Sequence, residues 1–364
     1  MTSVLLIAVL ILAFANGAND NAKGVATLRG SGLASYTTTI FWGTICTLIG
    51  SLLSVRFGTK LIPLFNGRGL LPGEAIGQPN LLLAVTLASA ATVLLASRIG
   101  VPISTTHALT GALIGGGAAA VGTGQLRLEL LGKAVVLPLL LSPLISLCLT
   151  LILFSLISPF RRIVGTCVCL VRREQAVISG QTLMHIQDIR PVDLVIGTTS
   201  ECQRISTDSR TTPLNLIHWV SAGTMSFARG MNDTPKITAL LIGAGSVLPE
   251  MEAVFGVALA MALGGIVGAR RISKTLSEKI TPMDPVQGAS ANLITSILVS
   301  LASRHGMPVS TTHVACGSLF GIGCLHKSKT DWKQVLNIIL AWGITLPAAV
   351  MLGGFFYLLL KILL

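Results

Sequence analysis

The sequence predicts an all-α polytopic membrane protein made of two inverted-topology repeats, each with a broken helix and a re-entrant helical hairpin. Three observations predict it: a charge-poor apolar composition, hydrophobic runs of which several are too short to cross a bilayer, and two motifs that each occur twice in the same order. Of 364 residues, 52% are hydrophobic and 11% charged, whereas soluble domains carry roughly 25% charged residues. So few charges cannot cover a water-facing surface. The 38 glycines agree, because Gly is enriched in membrane helices.

The first apolar run, Val4–Leu28, has no basic stretch before it, and its apolar start, Val4 to Ala15, leads straight into a polar motif. It reads as part of a membrane helix rather than a cleavable signal. Tyr36–Val55, Asn80–Ala96, Ser104–Val121 and Ala134–Ile157 complete the first set. Leu214–Phe227, Thr234–Val247, Ala253–Gly268, Val286–Ala302, Ser310–Cys324 and Val335–Leu360 form the second. A full crossing takes about 20 residues. The shorter runs, interrupted by Gly or Pro, suggest half-helices and re-entrant hairpins.

Three units follow: a first membrane repeat at 1–158, a polar linker at 159–213 and a second membrane repeat at 214–364. The linker mixes seven arginines with acidic residues, and its Val192–Ile196 stretch has the composition of a strand. Seven scattered cysteines imply no disulfide framework. Cys167, Cys169, His185 and Cys202 match no standard zinc spacing, so unpaired thiols are expected there. The net charge of +12 comes from short basic links between apolar runs. It forms no continuous basic face, which excludes nucleic acid as a partner and leaves the lipid bilayer.

The halves repeat each other. Residues 14–26 and 227–239 share seven of 13 positions, and residues 96–111 and 302–317 share ten of 16. If each half crosses three times and enters once more as a hairpin, the second half is inverted. With the linker in the cytoplasm, fifteen Lys and Arg lie inside against six outside, as the positive-inside rule requires. Both termini are then outside a multi-pass chain in the cell (plasma) inner membrane.

Among 14 acidic residues, only Asp20 and Asp233 lie deep in apolar segments. An acid there costs on the order of 3 kcal/mol and is a functional candidate. Each follows an asparagine, Asn19 or Asn232, and precedes Lys23 or Lys236 by three positions. Carboxylate, amide and backbone carbonyls at a helix break would make a cation site, with Gly17, Gly230 and Pro235 marking the break. An internal ion pair is the plainer reading.

The second motif, Pro-x-Ser-Thr-Thr-His, places Ser104, Thr105 and Thr106, and again Ser310, Thr311 and Thr312, at the start of a helix. Hydroxyls and free N–H groups at a helix N-terminus make a donor-rich cradle for an oxyanion. His107 and His313 either hydrogen-bond within the core, orient a hydroxyl or take a proton. Arg98 and Arg304 either grip an oxyanion bidentately or neutralise a helix end.

On Gly17-Ala-Asn-Asp20, Gly230-Met-Asn-Asp233 and the paired Pro-x-Ser-Thr-Thr-His, the chain resembles the inorganic phosphate transporter (PiT) family across both halves. The resemblance implies secondary active uptake of phosphate coupled to a cation, with no cofactor and a homodimeric assembly. The cation is sodium, placed at Asp20 and Asp233 with Asn19 and Asn232, or a proton. It also implies that the Asn-Asp and Ser-Thr-Thr stretches line the phosphate and ion sites. Asn16 and Arg229 depart from the internal symmetry. The family includes sulfate permeases, which is the alternative. An ion channel fits paired broken helices less well than alternating access does, and no nucleophile–base–acid set supports an enzyme.

Overall fold

The computed structural model describes residues 2–68, 70–157, 166–172, 177–179, 182–184, 192–198, 210–211, 213–245, 249–325 and 329–364. The first half opens with α1 (Thr2–Gly30) and α2 (Tyr36–Phe57). α3 (Pro79–Ile99) starts on its proline, which needs no N–H partner there. It ends at Gly100, whose φ of 78° turns the chain back. α4 (Thr105–Val121) completes this hairpin, and α5 (Leu137–Ile157) closes the half.

In the linker, β1 (Thr166–Arg172) pairs antiparallel with β4 (Val192–Thr198) and β5 (Arg210–Thr211). β2 (Val177–Ser179) pairs with β3 (Thr182–Met184). The strand expected at Val192–Ile196 is thus β4. Cys167 and Cys169 lie on β1, while His185 and Cys202 fall outside the described residues.

The second half holds α6 (Pro213–Gly243), α7 (Glu250–Gly268), α8 (Arg270–Glu278), α9 (Pro285–Arg304), α10 (Thr311–Leu325) and α11 (Trp332–Leu363). Asp284 and Gln287 close a capping box on α9, and Gly306, φ 70°, turns the chain toward α10. Among the described residues, seven helices are long and apolar enough to cross a membrane: α1, α2, α3, α5, α7, α9 and α11. α6 has the length, but Arg229, Asp233 and Lys236 interrupt its apolar run. The outer faces of α5 and α11 expose Leu140, Leu144, Leu156, Ile344, Met351 and Phe355, as a lipid-facing surface does. The chain is a multi-pass membrane protein.

Two expectations are corrected. No break occurs at the Asn-Asp motifs: α1 and α6 each run through theirs as one helix, and α6 joins the runs Leu214–Phe227 and Thr234–Val247. The glycines serve close approach instead. A Cβ on Gly17 would sit 2.0 Å from the Met261 carbonyl oxygen, and one on Gly230 would sit 2.2 Å from that of Thr47. Helix α8 was not expected from hydropathy. It is amphipathic, with Ile272 and Leu276 buried beneath exposed Arg270, Arg271 and Lys274.

Helix contacts in one half have counterparts in the other. α1 packs on α7 and α3, as α6 packs on α2 and α9; α4 packs on α11 as α10 packs on α5. The matching reaches single residues. A Cβ on Gly264 would meet the Phe14 carbonyl oxygen at 1.9 Å, and one on Gly50 that of Phe227 at 2.0 Å. The halves therefore interlock, each long polar-motif helix resting against the other half.

Candidate functional site

The middle of α1 and the middle of α6 carry the Asn-Asp motifs, and the turns of both hairpins come to them. Asn19 holds the first turn: its Nδ2 donates to Ser97 Oγ and the Val101 carbonyl, each at 3.2 Å. Its Oδ1 accepts from the Ile103 N–H at 3.2 Å. Asn232 holds the second, donating to the Val309 carbonyl at 3.3 Å and accepting from Ser303 Oγ at 3.0 Å. Each asparagine fixes the hairpin of its own half.

The hairpin turns also touch each other. Thr106 Oγ1 donates to the Val309 carbonyl at 3.4 Å, and Thr312 Oγ1 to the Ile103 carbonyl at 2.6 Å. Two hairpins meeting tip to tip match the expected re-entrant pair. Ser104 and Ser310 cap α4 and α10, their Oγ atoms accepting from the N–H groups of His107 and His313 at 3.1 and 3.2 Å. The first N–H groups of both helices have no intrahelical acceptor and lie where the tips converge.

Lysines cross between halves. Lys23 bonds to Asp20 and to Thr312 Oγ1 of the opposite hairpin, and to the Ile103 carbonyl at 3.1 Å. Lys236 bonds to Asp233 at 3.3 Å, the Val309 carbonyl at 2.9 Å and Thr106 Oγ1 of the opposite hairpin at 2.9 Å. Asn16 Nδ2 reaches Asp20, Asp233 and Thr105 Oγ1 at 3.3, 3.4 and 3.0 Å. Thr311 Oγ1 lies 3.5 Å from Asp233 Oδ2.

Arg229 breaks the symmetry. Its guanidinium donates to Asn16 Oδ1, lies 3.6 Å from Asp233 Oδ2 and approaches Asn21 and Thr47 at 3.4 Å. Asp20, Lys23, Arg229, Asp233 and Lys236 are all at most 3% exposed. Buried charges persist only when paired and hydrogen-bonded, and here three cations face two carboxylates. The surplus positive charge is compensated by an anion more readily than by a further cation.

His107 and His313 stand behind the threonines, ring centroids 4.5 Å apart. His313 also lies tilted against Trp342, ring centroids 4.0 Å apart, and bonds to the Leu139 carbonyl at 3.1 Å. They belong to the supporting layer. Arg98 and Arg304 sit exposed at the ends of α3 and α9, outside this cluster. There they lie beside helix C-termini, which favour cations. Motif reading passed over Asn16 and Arg229 as binding groups; the signal available was a second unshared polar residue inside each apolar run.

The model of the "Phosphate transporter family" matches residues 16–353. Similar proteins include a probable low-affinity inorganic phosphate transporter of Rhizobium meliloti (strain 1021), 27% identical over 96% of this chain and 93% of that protein. Another, of the same description from Bacillus subtilis (strain 168), is 26% identical over 100% and 98%. Among solved structures, one titled "The sodium-dependent phosphate transporter" superposes with a TM-score of 0.78 at 20% identity, covering 100% of this chain and 99% of that one. The match runs from the first Asn-Asp motif to the last helix, and the chain belongs to the phosphate transporter family.

Proposed function

We propose that this chain carries inorganic phosphate across the membrane as a cation-coupled secondary transporter working by alternating access. The observation that carries the reading is the crossing of Lys23 and Lys236 to the hydroxyls of the opposite hairpins. A site assembled from both halves opens to one side when either hairpin withdraws, and the two hairpins enter from different halves. Inverted topology, with the linker in the cytoplasm and the termini outside, is supported by the distribution of basic residues.

Phosphate suits the donor set. The Thr105 and Thr311 hydroxyls and the helix N-termini donate to a tetrahedral oxyanion, and the two lysines add positive charge beside it. Asp20 and Asp233 accept, which a phosphate bearing a hydrogen satisfies and a sulfate does not. Relatives with the same architecture are named for phosphate transport, and membership of the family supports a transporter over an enzyme.

Reconstitution tests the proposal. Labelled phosphate should enter proteoliposomes with saturable kinetics and without unitary currents. Asp20→Asn and Asp233→Asn should each abolish uptake while eluting as folded protein. Wild-type uptake in both variants would reduce the carboxylates to structural groups, and unitary currents would make the protein a channel.

A further inference from the structure

The structural neighbour is titled for sodium dependence, and Asp20 and Asp233 are the acids that sequence reading offers to that ion. Hard cations are held by oxygen ligands such as carboxylates, carbonyls and hydroxyls. Two such oxygen sets exist here, one the counterpart of the other. Asp20 Oδ1, the Ile103 carbonyl and Thr312 Oγ1 form the first. Asp233 Oδ1, the Val309 carbonyl and Thr106 Oγ1 form the second. Each draws its oxygens from a long helix, the hairpin of the same half and the hairpin of the other.

Both sets already surround a cation. Lys23 Nζ bonds all three oxygens of the first and Lys236 Nζ all three of the second. An ammonium has three donors and no acceptor, so three oxygens exhaust it. Each lysine comes from one turn along the same helix as its aspartate. A sodium ion entering either set would displace a buried ammonium, 2% or 1% exposed, beside the further positive charge of Arg229. The residues at Asp20 and Asp233 do not fit sodium.

We propose that Lys23 and Lys236 are tethered resident cations that occupy these two oxygen cages, so that phosphate uptake by this chain takes no sodium at Asp20 or Asp233. The inference rests on the phosphate-transport reading. A tethered ammonium reproduces the charge of a bound ion and its bridging of helix to hairpin. It cannot cross the membrane with the substrate, and so a sodium gradient has no purchase on these cages.

The intact chain in proteoliposomes tests this. Phosphate uptake is measured with an inward sodium gradient and with sodium replaced throughout by N-methylglucamine; equal initial rates are expected. Uptake at least about tenfold slower without sodium would overturn the inference while leaving phosphate transport standing. No uptake in either ion would overturn the transport reading and the inference with it. Thermal unfolding in detergent gives a second readout. A ligand that binds the folded state alone raises Tm. Sodium should leave the wild-type Tm where N-methylglucamine at equal ionic strength puts it, and should raise the Tm of Lys23→Ala with Lys236→Ala, whose cages are vacated. A sodium-specific rise in the wild type that disappears in Asp20→Asn would contradict the proposal even if the lysine variant fails to fold.

Discussion

Arg229 accounts for more of the buried polar wiring than its place in the motif suggests. One guanidinium joins Asn16 of the first half to Asp233 of the second and leans toward Asn21 and Thr47. Removing one partner of a buried ion pair costs about 3–5 kcal/mol, because the other is left uncompensated. Arg229→Met should therefore lower stability by about that amount, read from thermal unfolding in detergent, and a loss under about 1 kcal/mol would mean that Asp233 is satisfied by Lys236 alone. At this scale the convergence of the candidate residues was largely legible: Asp20, Asp233, both lysines and four threonines come together as their repetition implied. Comparing repeats favours identical residues, and so it passes over Asn16 and Arg229, which matter because they differ. It also includes Arg98 and Arg304, repeated for their helix-end position and exposed there.

Helix crossings explain where reading by element fails. Gly next to Asn-Asp suggests a break when conformational freedom is the only role considered. In lipid, Gly also lets backbones touch, and α1 and α6 stay whole while crossing α7 and α2. Gly230→Ala would press a Cβ to 2.2 Å from the Thr47 carbonyl; overpacking of this kind costs about 1–3 kcal/mol. Gly343 on α11 has nothing within 4 Å of the same added atom, so Gly343→Ala should be neutral or slightly stabilising by helix propensity. Equal Tm changes in the two variants would show that the α6–α2 crossing tolerates separation. Helix α8 escaped notice because nine residues with a polar majority give no hydropathy signal. It was readable only as Ile272 and Leu276, one turn apart.

The described residues form two interlocked halves around one charged centre, with the short strands β1 to β5 between them in sequence. The linker has no counterpart in either half, so replacing residues 172–210 with a flexible spacer should leave phosphate uptake intact. Loss of uptake with normal membrane insertion would give the linker a gating role. The repeated architecture was legible from two short motifs, but not the exchange of partners between halves, since the motifs lie outside α2, α5, α7 and α11, whose correspondence shows in their packing. The proposed function puts a phosphate-selective site where the hairpin tips meet two buried carboxylates. A site that expects a hydrogen from its ligand rejects an analogue lacking it by orders of magnitude. Initial rates of labelled phosphate uptake, measured with excess arsenate or excess sulfate, test this most directly. Arsenate should suppress uptake and sulfate should leave it nearly unchanged, whereas suppression by sulfate at concentrations similar to phosphate would contradict the claim.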